Sequence, residues 1–269
     1  MTTIKLTSRC RVFRLMMKIG NVLTFSCISM FGTVIVLAED TPAGSNQLLH
    51  ENTAATDAVV LSDRIAHRES LGLVLDAAHR DRLTREIGEV LMRIRSEYPD
   101  IEEISARPLH VPGMLHLGLE ADLLMAVSDL VRDEESDISS KTGIEAFDEL
   151  NTMLGLTGIR LFRHAGIAVM EYGALVNIEA ACRAYREIPG VRYAEPEILL
   201  GDGSDIEMVK DQGTWYVIVR KAWGDCPSGC IHEQLNFFTV ENGKVDRIET
   251  AQAVHKPDFA ALLEVRGWH

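Results

Sequence analysis

The chain has 269 residues, of which 40 are Asp or Glu and 27 are Lys or Arg, for a net charge of −13 with histidine neutral. So acidic a chain repels phosphate backbones and anionic lipid, which disfavours nucleic-acid and membrane-surface binding. A hydrophobic share of 46% excludes a wholly disordered chain.

The first 18 residues carry Lys5, Arg9, Arg11, Arg14 and Lys18 and no acid, and Ile19 to Ala38 is uncharged before Glu39 and Asp40. A basic start, an apolar stretch and the small-residue ending Val36-Leu37-Ala38 predict a secretory signal peptide over 1–38, cleaved near Ala38. Twenty uncharged residues also suffice for a membrane anchor. However, Asn21, Thr24, Ser26, Ser29 and Thr33 dilute them, and no basic stop-transfer cluster follows. No stable membrane insertion is therefore expected after cleavage. Under either reading residues from Glu39 onward are extracytoplasmic, secreted or periplasmic. Translation starts at Met1 or at Met17, which precedes Lys18. Thr24-Phe25-Ser26 before Cys27 is a poor lipoprotein box, so no lipid anchor is expected. Loss of 1–38 leaves 22 basic against 40 acidic residues, a net −18.

Residues 39–60, rich in Thr, Ala, Ser and Asn, read as a flexible tether. Residues 61–98 read as a helical segment: Leu83, Ile87, Val90, Leu91 and Ile94 form one apolar stripe among arginines and glutamates, and Pro99 ends it. Leu109 to Leu119 alternates like a strand interrupted at Pro112-Gly113. An acidic loop follows at 133–141. The spacing then predicts a helix over 143–156, strands over 158–162 and 166–172, a helix capped by Asn177, and a strand from Val191. That order, strand, helix, strand, strand, helix, strand, is the ferredoxin-like βαββαβ arrangement, placed at 107–200. Residues 201–269 turn to strands. Trp215, Val217 and Val219 alternate with Tyr216, Ile218 and Arg220, and Glu241-Asn242-Gly243-Lys244 is a hairpin turn between 231–240 and 245–250. A short helix is expected after Pro257. The fold class is thus α+β: an N-terminal helical segment, a ferredoxin-like βαββαβ domain and a C-terminal antiparallel β-hairpin module.

Within the middle domain, Arg107-Pro108-Leu109-His110-Val111-Pro112-Gly113-Met114-Leu115 resembles the opening of propeptides attached to subtilisin-like proteases. Gly190-Val191-Arg192-Tyr193-Ala194-Glu195-Pro196-Glu197 resembles their closing signature. The resemblance spans about residues 107–197. It implies a ferredoxin-like domain that helps a protease fold and inhibits it by laying the closing segment in the active-site cleft. Tyr193, Ala194, Glu195, Pro196 and Glu197 would then be the partner-binding residues. No protease domain follows, with neither the His-Gly-Thr-His nor the Gly-Thr-Ser-Met-Ala block present. The chain also continues past Pro196 into a further module, so the inhibitory tail would have to be a loop or be cut.

Cys10 and Cys27 fall in the signal, leaving Cys182, Cys226 and Cys230, an odd number for an oxidising compartment. Cys226 and Cys230 flank Pro-Ser-Gly and read as a disulfide across a turn. A redox dithiol one residue longer than C-x-x-C and a C-x3-C-x-H metal site with His232 are the alternatives. Cys182 lies on an apolar helix face and reads as a buried thiol, with an intermolecular bridge as the alternative. Gly201 to Asp205 reads as a turn leading to a helix cap rather than a calcium loop. Trp215, Tyr216 and Trp223 read as sheet core rather than a ligand surface. No catalytic residue, metal site or cofactor is predicted. The expectation is a non-catalytic exported protein that binds, and inhibits or chaperones, a subtilisin-like protease or another extracytoplasmic protein. The alternatives are a structural or surface module without protease binding, and a thiol-redox enzyme using Cys226 and Cys230.

Overall fold

The computed structural model describes residues 43–131, 141–173, 175–226 and 228–268. The export signal at 1–38 with Met17, Cys10 and Cys27, and the acidic loop at 133–141 apart from Lys141, lie outside these. Helix α1 spans Ala43–Glu69, so most of the stretch expected as a tether is helical. The physical reason is its small apolar stripe: Ala54, Ala58, Leu61 and Ile65 recur at helical spacing and are buried. Helix α2 (Ala77–Glu97) begins at Asp76, whose carboxylate accepts the Ala78 and His79 N–H groups at 2.9 and 3.2 Å. The helical segment is therefore two helices, tied at their far end by a buried ion pair between Asp57 and Arg95. No helix among the described residues is long and apolar enough to cross a membrane.

Strand β1 (His110–Leu119) is followed by helices α3 (Ala121–Leu130) and α4 (Glu145–Leu154), strands β2 (Leu156–Phe162) and β3 (Ile167–Tyr172), helix α5 (Ile178–Arg186) and strand β4 (Val191–Ile198). The Asn177 side chain caps α5 as expected, accepting the Ala180 N–H at 3.1 Å. Helix α3 is the one element in this stretch that the periodicity left unread. The strands form an antiparallel sheet in the order β2-β3-β1-β4. Leu115, Leu117, Ala168, Met170 and Ala194 point to one face and bury against Phe147, Leu154, Ile178, Cys182 and Tyr185 of the helices. By alternation the opposite face carries Tyr193, Glu195 and Glu197.

A second antiparallel sheet runs β5 (Asp205–Asp211), β6 (Thr214–Trp223), β7 (His232–Glu241) and β8 (Lys244–Ile248) in sequence order. The turn after Gly201 leads into β5, not into a helix cap: Ile206 and Met208 alternate inward and need a sheet to be buried. Asn242 and Gly243 both hold positive φ, 49° and 79°, the backbone that a two-residue hairpin loop requires. Helices α6 (Thr250–Ala253) and α7 (Pro257–Arg266) complete the chain.

Alternation gives this sheet two apolar faces. Met208, Trp215, Val217, Val219, Phe238 and Val245 pack on α1 and α2, whereas Ile218 and Phe237 pack on Phe259, Leu262 and Trp268. Helices from both ends of the described chain thus sandwich the second sheet. The helical segment and the β module, expected as separate pieces, share one core, and the first sheet is inserted between them in sequence. Trp223 departs from the expected sheet core: it is exposed at the end of β6.

Candidate functional site

The expected contact residues Tyr193–Glu197 all lie on β4, an edge strand paired on one side with β1. Tyr193 stands opposite Gly118, and its ring occupies the space a Cβ there would need. Glu195 is opposite His116, and the His116 ring is paired with Glu197. Across the same face the register brings Val169 and Arg160 into line with His116, and Ile167 and the exposed Phe162 into line with Gly118. The face therefore joins apolar residues to a carboxylate-rich margin.

The outer edge of β4 is blocked. Arg186 donates through Nε and Nη2 to the Ala194 carbonyl at 3.0 and 2.6 Å. Pro196, two residues on and hence on the same side of the strand, has no N–H to offer. These are two of the devices that keep edge strands from pairing further. A partner would therefore meet side chains of the open face, or the chain beyond it, and not a new backbone ladder.

From the last residue of β4 onward the chain runs exposed, with Ile198 at 61%, Leu199 at 41% and Leu200 at 91% of full exposure. Asp202 then fixes it. Its N–H donates to the Cys226 carbonyl at 2.9 Å, and its carboxylate accepts the Cys230 N–H at 3.0 Å. Arg220 donates to both carboxylate oxygens, at 2.6 and 3.0 Å. Those hydrogen bonds hold the Asp202 carboxyl well below the usual range. Cys226 and Cys230 are joined by a disulfide, which closes the turn that Asp202 grips. The sulfurs are bonded to each other, and the His232 ring lies against Trp223 with ring centroids 5.7 Å apart and planes tilted by 33°. Among the described residues no group of three metal-ligating side chains converges. Cys182 is a free, buried thiol, and burial pushes it up to about 11. It is held in the protonated, unreactive form.

A further group of charges is not among the residues expected from the sequence. Asp205 and Glu207 on β5 are 2% and 1% exposed. Arg64 reaches Asp205 at 2.9 Å and Glu207 at 3.1 Å, Arg68 reaches Glu207 at 3.1 Å, and Arg266 pairs with Asp205. The same groups close the outer edge of β5. The Ile206 and Met208 carbonyls accept from Arg64 and Arg68 at 2.6 and 2.9 Å. Their N–H groups donate to Asp205 and Glu207 at 2.8 and 3.1 Å. Asp205 also accepts the Arg107 N–H at 2.8 Å, so the point where the inserted sheet departs is tied to the point where it returns. The signal in the sequence was the alternation Asp205-Ile206-Glu207-Met208, with acids on every second residue of a strand.

The sequence matches no family model, no curated protein and no solved structure.

Proposed function

We propose that this chain is an exported, non-catalytic protein that binds an extracytoplasmic subtilisin-like protease, inhibiting or chaperoning it, through the segment Tyr193–Glu197 and the open face around it. The observation that carries this reading is the position of that segment. It is extended on the edge of the first sheet and not packed into the second, with Tyr193, Glu195 and Glu197 on the open face and Ala194 turned into the core. Had it been buried there, it could not reach a protease cleft. Support also comes from the antiparallel strand order β2-β3-β1-β4 with helices on one face, which is compatible with the ferredoxin-like βαββαβ domain that the propeptide resemblance implies. The disulfide in the Cys226–Cys230 turn fits an oxidising compartment and hence the export signal. A product-like free tail is absent from the arrangement, since the exposed residues Ile198–Leu200 run on to the Asp202 clamp. Binding would therefore use a loop held at both ends.

A structural or surface module without protease binding is the second reading, and the Arg186 cap on Ala194 favours it by closing the strand edge. Gel filtration with a panel of inactivated subtilisin-like proteases separates the two. Co-elution with one or more of them supports the first reading. Independent elution from all of them leaves the second.

A further inference from the structure

We propose that a cleft where the inserted sheet joins the second sheet binds an aliphatic carboxylate, with Arg107 as the anion-holding group. The cleft has a volume of about 230 Å³, with Pro108, Leu109, Ile198 and Leu199 as its apolar wall and Arg107 among its lining residues. That is smaller than a typical drug-sized pocket and suits one short acid or the last residues of a chain.

The electrostatics single out Arg107. Around the cleft, five guanidinium groups (Arg64, Arg68, Arg107, Arg220, Arg266) stand with four carboxylates (Asp202, Asp205, Glu207, Glu233), and every carboxylate is paired with one or more of the other four arginines. Asp202 accepts from Arg220 and from the Gly203 and Cys230 N–H groups. Asp205 accepts from Arg64, Arg266 and the Arg107 and Ile206 N–H groups. Both acids that line the cleft are thus saturated. The Arg107 guanidinium makes no ion pair or hydrogen bond among the described residues. The uncompensated positive charge is its own.

Arg107 is also held in place. Its N–H is bound by Asp205 at 2.8 Å and its carbonyl by Arg64. The side chain lies along the returning backbone so closely that a Cβ on Gly203 would stand 2.9 Å from Nη1. An unpaired guanidinium fork on an anchored backbone, in a cleft with aliphatic lining, matches a carboxylate head on an apolar body. Two sources share that chemistry: the C-terminus of a peptide ending in a large aliphatic residue, and a free short-chain acid. The inference does not depend on protease binding.

Calorimetric titration of the purified protein tests it, with acetyl-Ala-Leu-Leu as acid and as C-terminal amide, and with hexanoate and hexanol. The acid of at least one pair should bind about tenfold or more tighter than its neutral partner, the worth of a charge-assisted pair. Preference for the peptide acid alone assigns a chain terminus, and preference for hexanoate as well assigns a free acid. Arg107→Gln should abolish the preference and leave the melting midpoint unchanged, because the guanidinium supports nothing else. If that variant melts early, amide shifts at Ala106, Arg107 and Leu109 in the wild type, moved by acid and not by amide, decide instead. Equal binding of both members of each pair, binding of none, or a preference retained in Arg107→Gln overturns the proposal.

Discussion

Arg64 donates through Nη1 to the Ile206 carbonyl at 2.6 Å, so a helix near the start of the described chain closes the outer edge of a strand from its last third. The same guanidinium is paired with Asp205 and Glu207, both buried. Replacing it removes one member of a buried ion cluster and leaves acids short of a partner, which costs about 3–5 kcal/mol. Arg64→Met should therefore lower the urea midpoint strongly. Adding Glu207→Met should recover part of the loss, because fewer charges are then left buried alone. Denaturation of the single and double variants checks both the size and the order.

The shared core makes a prediction at a distance. Ile87 on α2 is fully buried in the cluster that contains Trp215 of β6. Ile87→Ala should destabilise by about 2–5 kcal/mol. Its unfolding, followed by tryptophan fluorescence, should coincide with loss of helix by circular dichroism. Two separate transitions would mean that helices and sheet fold apart.

Much of this architecture was legible in the sequence, for reasons that can be named. The period of two in Trp215–Val219, the Asn242-Gly243 turn and the Asn177 cap each act within a few residues, so local pattern suffices to find them. The Cys226–Cys230 disulfide belongs with these, because its partners flank one turn. Other features depend on distant partners. The tether-like stretch is a helix because Ala54 and Ala58 pack closely, a Cβ on Gly88 of α2 standing 3.8 Å from that of Ala58. The helical spacing of Ala54, Ala58, Leu61 and Ile65 is a weak local signal until α2 packs on it. Asp205 and Glu207 look like surface acids until Arg64, Arg68 and Arg266 are brought to them. The blocked edge at Ala194 likewise needs Arg186 from the preceding helix.

Asp202 gives the turn a pH dependence of known sign. Its folded-state carboxyl is held well below its ordinary value of 3.8, first by the Arg220 hydrogen bonds. A depressed carboxyl contributes stability that is complete above the ordinary value and is lost as the pH falls toward the folded one. Asp202→Asn should melt below the wild type at pH 7, and the gap should close progressively below about pH 4. Removing the neighbouring disulfide with Cys226→Ser and Cys230→Ser should cost about 2 kcal/mol, as expected for a short closed loop. Thermal melts across pH 2–7 measure both effects.

His110 acts closer to neutral pH. Its ring lies 5.2 Å from that of His67, which joins β1 to α1. Burial, then the His67 charge, lowers its pKa from the ordinary 6.5, against Glu179 and Asp63. The unfolded state then takes up a proton more readily, so stability present above about pH 6.5 declines as the pH falls through that value. The decline between pH 7 and 5 should be smaller in His110→Gln. A melting midpoint with the same pH slope in both proteins would contradict this.

The most direct measurement is inhibition of active subtilisin-like proteases by the purified protein, with Tyr193→Ala/Glu195→Lys as the altered partner. Binding at the β4 face should give a concentration-dependent fall in hydrolysis of a small substrate by at least one protease, or faster refolding of one. The double variant should weaken that effect about tenfold or more, as loss of a central aromatic contact does. If the wild type changes neither the rate nor the refolding of any protease tested, or if the variant acts as strongly as the wild type, the claim that the β4 face is a protease-binding site is contradicted.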